Sequence, residues 1–178
     1  TVAHTEKLIA QPVQVPGDMS SAAFFMVAAT LVKGSDITLT NVGLNPSRRG
    51  LLDVLVQMGG RVDVKETISA GEAVGDIRVQ SADLHPIDLT VAQIPAIIDE
   101  LPLVALLAAK ADGVSTIHGA EELRVKETDR IACVEQELGK LGAQVKALPD
   151  GFVIDGRKPW HVQQTTLDSH GDHRIGMM

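Results

Sequence analysis

The chain has 178 residues, 44% of them apolar, so it holds enough material for one domain with a real core. Aromatic residues make up 2% (three Phe, one Trp, no Tyr) and the net charge is -7, which together argue against a base-stacking or polyphosphate-binding surface, and so against nucleic acid as a partner. The single cysteine, Cys133, excludes an internal disulfide, and the longest apolar runs, Ala22 to Ala29 and Leu101 to Ala109, are too short to span a bilayer. With no charged-then-apolar leader at the start, the reading is a cytoplasmic protein without membrane contact. The chain opens on Thr1 rather than methionine, so its first residue need not be where its reading frame starts.

In chain order, the first helix is expected behind Asp18, an acid at an N-cap, in Gly17-Asp18-Met19-Ser20-Ser21-Ala22-Ala23-Phe24-Phe25. Its apolar run ends at Lys33-Gly34. Strand-like alternation follows through Asp36 to Thr40. Pro46 and Ser47 can start a second helix with a stripe of Leu51, Leu52, Leu55 and Met58, stopped by Gly59-Gly60. Arg61 to Val64 and Asp76 to Gln80 read as two strands.

The same order returns from Asp99. Ile98-Asp99-Glu100-Leu101-Pro102 opens an apolar helix that closes near Asp112-Gly113, and a strand follows from Val114 to His118. The next helix carries Ile131, Val134, Leu138 and Leu141, with Cys133 on its inner face, and stops at Gly142-Ala143. Two short strands come after it, near Gln144 to Ala147 and Gly151 to Asp155. A third copy begins at Asp172-His173-Arg174-Ile175-Gly176-Met177-Met178 and stops inside its first helix, which would be marginal alone and is most simply explained by truncation. The expected fold is therefore α/β. The first helix of each unit is apolar all round and should be buried, whereas the second is amphipathic, so sheets should wrap outside a helical centre. No Gly-x-Gly-x-x-Gly or Walker loop follows any strand, which counts against a doubly wound nucleotide fold.

Leu123-Arg124-Val125-Lys126-Glu127-Thr128-Asp129-Arg130 packs three cations and three acids or cap formers into one helix mouth. A charge run of this kind is most often a solvated face, with Thr128 and Asp129 as capping residues. Against that, Lys126 and Arg130 are four apart and on a helical turn would point the same way, with Glu127 between them as a proton carrier. Free N–H groups at the helix start favour anions too. Arg174, just inside another helix start, works against the dipole, and a bound carboxylate or phosphate would explain it. Asp99 reads equally as a plain N-cap and as a partly desolvated carboxylate that accepts a proton from a hydroxyl, two roles that are compatible.

Gly17 to Ala23, Asp99 to Pro102, Arg124 to Arg130 and Asp172 to Arg174 together resemble the EPSP synthase family, in the family's order and over practically the whole chain. The Arg-Val-Lys-Glu-Thr-Asp-Arg string is the most specific of these. The resemblance implies two domains, each of three βαβαββ units about a pseudo-threefold axis, with the active site between them. Residues 1–12 would then end the preceding domain and form the hinge, and residues 13–178 would hold two complete units plus the start of a third. It further implies transfer of the enolpyruvyl group of phosphoenolpyruvate to the 5-hydroxyl of shikimate 3-phosphate, with release of phosphate through a tetrahedral ketal phosphate.

Asp99 is the implied proton acceptor and also a substrate contact. Lys126 is implied to bind shikimate 3-phosphate, Glu127 to protonate the enolpyruvyl methylene, and Arg130 and Arg174 to bind phosphoenolpyruvate. No cofactor or metal is implied, and the parent would be a monomer. Other family contacts fall outside the chain, so these residues alone should be inactive and glyphosate sensitivity cannot be read from them. Glu122 stands where some members have an asparagine that touches the substrate phosphate. The alternatives are the related transferase acting on UDP-N-acetylglucosamine, which lacks the Arg-Val-Lys-Glu-Thr-Asp-Arg string, and a catalytically incomplete anion-binding fragment. Alanine at Lys126 and Arg130 together should weaken substrate use far more than folding.

Overall fold

The structure is a computed structural model that describes residues 4, 7, 9, 10, 12, 14–69 and 71–178. An acid ahead of an apolar run starts the first helix as its sequence dictates. Helix α1 spans Met19–Leu31, and the Asp18 carboxylate caps it by accepting from the Ser21 N–H at 2.7 Å. Strand β1 (Asp36–Gly43) follows. Helix α2 spans Gly50–Gln57, later than the expected start at Pro46 and Ser47. Those two residues form a turn instead, because the Ser47 N–H and hydroxyl both donate to Asn45 Oδ1. Gly50 suits the helix start, since a Cβ there would lie 2.3 Å from the Ile97 side chain.

Strands β2 (Arg61–Ser69) and β3 (Glu72–Gln80) form a continuous antiparallel hairpin, each longer than its hydrophobic alternation suggests. The second half of the chain repeats the pattern: β4 (Asp88–Leu89), α3 (Leu101–Ala108), β5 (Val114–Ile117), α4 (Arg130–Lys140), β6 (Gln144–Leu148) and β7 (Gly151–Asp155). Short 3-10 turns at Ile94–Ala96, Ile98–Glu100 and Glu121–Val125 lie between them, and α5 (His173–Met177) ends the chain.

The sheets make the repetition physical. One has the order β1-β3-β2 and the other β4-β5-β7-β6, with β4 parallel to β5 and the remaining pairs antiparallel. The first unit has a vestige of the leading strand too, because Gly17 bridges Val42 of β1 in parallel, as β4 bridges β5. Each unit is thus βαβαββ, and α5 begins a third, as a pseudo-threefold α/β arrangement requires. Of the expected hinge at residues 1–12, only 4, 7, 9, 10 and 12 are described, and none of these five lies in a helix or strand. Among the described residues no helix is long and apolar enough to cross a membrane.

Helices α1 and α3 pack together in the centre, with Met26, Leu51, Leu55, Met58, Ile77, Leu101, Leu107 and Phe152 fully buried around them. Alternating exposed and partly buried residues along β1 put one sheet face outside. Helix α3 is buried and α4 is two-faced, as expected, with Cys133 inward. The expectation that α1 is buried all round fails on one stripe. Phe25 is 59% and Val32 60% exposed, with the exposed Ala28 between them and the exposed Ser21 one turn before Phe25 on the same face.

Residues 156–171 carry no helix or strand and are held by backbone and side-chain hydrogen bonds. Trp160 Nε1 donates to the Ala109 carbonyl at 3.1 Å, and buried Glu137 of α4 accepts from Lys140 Nζ, the Asp168 N–H and His170 Nε2, all within 2.9 Å. Burial pushes the Glu137 carboxyl up, but these hydrogen bonds and the Lys140 charge outweigh it and bring the pKa from 4.5 to about 2. The folded state therefore holds this proton less tightly than the unfolded chain. Its stabilising effect is complete above pH 4.5 and fades as pH falls towards 2. In urea titrations between about pH 5 and pH 3, Glu137→Gln should lose less stability on acidification than the parent chain. Equal acid slopes would refute this.

Candidate functional site

The helix mouths of the second and third units open towards each other, and their charged residues meet there. Asp99 sits in the 3-10 turn ahead of α3, yet it does not cap that helix. The cap position belongs to Glu100, also without a side-chain cap bond. Pro102 in the first turn has no N–H to satisfy, which lowers the demand for a cap and frees both acids for other partners. Of the two readings of Asp99, the capping one is thus overturned.

The Asp99 carboxylate faces three cations from three segments. Lys126 Nζ and Arg130 Nη1 are each 3.6 Å from its Oδ1, and Arg174 Nη2 is 4.0 Å from its Oδ2. Asp99, Lys126, Arg130 and Arg174 therefore share one wall. The reason for the Lys126–Arg130 convergence differs from the expected one. Lys126 is not helical; its backbone is extended (φ -76°, ψ -151°) at the end of the 3-10 turn, and the loop rather than an i,i+4 step aims it at Asp99. Glu122 Oε1 lies 2.8 Å from Lys126 Nζ. That carboxylate, with desolvation opposing it and Asp99 adding to it, holds the Lys126 pKa above its ordinary value and keeps the ammonium charged.

Helix α4 is capped by Asp129, whose carboxylate accepts from the Ala132 N–H, while Thr128 turns away and donates to Asp172. Arg130, the first residue of α4, is buried, its side chain 2% exposed. Asp172, itself 0% exposed, accepts from Arg130 Nε at 2.7 Å and from the Arg174 N–H at 2.8 Å, so one carboxylate both pairs with Arg130 and caps α5. Burial pushes the Asp172 carboxyl up, but the Arg130 and Arg174 hydrogen bonds and the Arg130 charge hold it below its usual value. Glu127, half exposed, joins through Arg130 Nη2 at 2.5 Å. Arg174 Nη1 is 3.4 Å from Glu100, so carboxylates supply the partners that a cation in a first helical turn needs.

Sequence reasoning missed Glu100 and Ser20 and read Asp172 only as a helix start. A buried acid beside an apolar helix was the available signal for Glu100, and nothing local marked Ser20. The burial of Arg130 also revises the paired alanine test. Arg130→Ala would remove a structural ion pair, so only Lys126 separates binding from folding.

The repeated βαβαββ domain thus gathers Asp99, Lys126, Arg130 and Arg174, with the carboxylates that pair them, at the mouths of its helices. A family model described as EPSP synthase (3-phosphoshikimate 1-carboxyvinyltransferase) matches residues 1–178. The 3-phosphoshikimate 1-carboxyvinyltransferase of Lactiplantibacillus plantarum is 58% identical over 100% of this chain and 41% of its own length, and that of Limosilactobacillus fermentum is 53% identical with the same coverage. An EPSP synthase structure from Acinetobacter baumannii superposes with a TM-score of 0.86 at 40% identity, covering 96% of this chain and 40% of that one. The chain belongs to the EPSP synthase family. It spans about two fifths of the length of these relatives. The enolpyruvyl transferase NikO of Streptomyces tendae, 24% identical with a TM-score of 0.64 over 84% of this chain, shares the fold alone.

Proposed function

We propose that this chain forms one wall of the active site of an enzyme that transfers the enolpyruvyl group of phosphoenolpyruvate to the 5-hydroxyl of shikimate 3-phosphate. The single observation that carries the reading is the Asp99 carboxylate, within 4.0 Å of Lys126, Arg130 and Arg174. Family membership supports the same substrates. Residues 13–178 would supply two units and the start of a third, and residues 1–12 the end of the preceding domain with its hinge. The opposite wall lies in sequence outside these residues.

In this reading Asp99 takes the proton of the substrate hydroxyl as its oxygen bonds to the enolpyruvyl carbon, and Glu127 delivers a proton to the methylene. The resulting ketal phosphate then returns a methyl proton to the Glu127 carboxylate as its carbon–oxygen bond to phosphate breaks, and phosphate leaves. Lys126 holds the shikimate phosphate, while Arg130 and Arg174 hold phosphoenolpyruvate and the departing charge. Phosphate release by the full-length protein with both substrates, and none with either alone, tests the reading. Lys126→Ala should raise the KM for shikimate 3-phosphate about tenfold or more, since a charge-assisted hydrogen bond is lost. Its melting temperature should hold within about 2 °C, because a partly exposed pair contributes little to folding. Equal losses of binding and stability would favour a solvated charge face.

A second reading, an anion-binding fragment without turnover, has its own support in the span of 41% of the relatives' length. Inorganic phosphate binding by the 178 residues without catalysis would agree with both readings of the wall; turnover by the full-length protein decides for the first.

A further inference from the structure

Charged side chains are rarely buried without a partner that justifies it, and Glu100 is 4% exposed. Its carboxylate does not serve its own helix. Oε1 accepts from Ser20 Oγ of α1 at 2.6 Å and faces Arg174 Nη1 of α5 at 3.4 Å. Ser20, itself 3% exposed, accepts in turn from Arg48 Nη2 at 3.0 Å. One buried carboxylate thus ties together the first-helix starts of all three units.

We infer that Glu100 is a positioning residue for Arg174, fixing its guanidinium at the cleft mouth beside Asp99. The inference rests on the proposed role of Arg174 in holding phosphoenolpyruvate. Geometry favours Glu100 over the other neighbours. Arg174 Nη2 lies 4.0 Å from Asp99, beyond hydrogen-bond reach, and the Phe24 ring is 6.0 Å from the guanidinium carbon, at the edge of useful cation–π range. Asp99 is also the group that gains a proton during turnover, so it is a partner only part of the time. Glu100 is buried, lies off the proposed proton path, and is itself fixed by the Ser20 hydroxyl. It therefore pre-orients Arg174 through the whole cycle, which lowers the ordering cost of gripping a planar carboxylate or a phosphate.

The test is steady-state kinetics of the full-length protein with both substrates, alongside thermal melting. Glu100→Ala should raise the KM for phosphoenolpyruvate about tenfold, leaving kcat and the KM for shikimate 3-phosphate within about threefold. Glu100→Gln keeps the volume and an acceptor oxygen but drops the charge, and should raise the same KM about threefold. The glutamine variant decides if the alanine one does not fold. A phosphoenolpyruvate KM unchanged in the glutamine variant, or a rise shared equally by both substrates and tracking a fall in melting temperature, would overturn the inference while leaving the functional reading intact. A wild-type protein that turns over neither substrate overturns the functional reading, and this inference with it.

Discussion

Asp172→Ala is expected to destabilise the chain by about 3–5 kcal/mol in urea unfolding, the range for breaking a buried ion pair from one side. The residue is 0% exposed and accepts from Arg130 at 2.7 and 3.3 Å, from Thr128 at 3.2 Å and from the Arg174 N–H at 2.8 Å. Its loss strands a guanidinium that is 2% exposed, whose remaining carboxylates are half-exposed Glu127 and an Asp99 oxygen 3.6 Å away. Asp172→Asn keeps the shape and the cap and should fall between the two. A loss below about 1 kcal/mol for the alanine variant would mean that α5 is held by packing of Ile175 rather than by this carboxylate.

The second large effect is on chemistry. Asp99→Asn in the full-length protein should cut kcat by about 10²- to 10⁴-fold, the usual contribution of a positioned proton acceptor. Folding should change by less than about 1 kcal/mol, because the Asp99 side chain is 27% exposed and each cation it faces keeps another carboxylate. Those are Glu122 for Lys126, Asp172 for Arg130 and Glu100 for Arg174. Retained turnover with lost stability would invert the assignment and make Asp99 a structural counter-ion.

The local features of the fold were legible because they are written locally. Asp18 and Asp172 cap the helices they precede, and the stripe through Ile131, Val134 and Leu138 faces inward on α4. The recurrence of the same order of elements from Asp99 also foretold units of one topology. What was not legible depends on partners far along the chain. Strand β4 has two residues and owes its existence to β5, which follows it after α3. Arg130 reads as a surface cation until Asp172, 42 residues later, arrives beside it. Lys126 was placed on a helix by spacing, whereas the run Glu121–Val125 winds as a 3-10 turn and releases it into a loop. In the candidate site, then, residue types were readable and their burial was not.

The hairpin sheet also bears on how the molecule avoids association. Its outer strand, β2, carries Arg61, Asp63, Lys65 and Glu66 along an unpaired margin, and ionic side chains of that density discourage any further strand from docking there. That edge is therefore poorly suited to strand exchange with a second copy of the chain, which guards the hairpin against edge-to-edge aggregation.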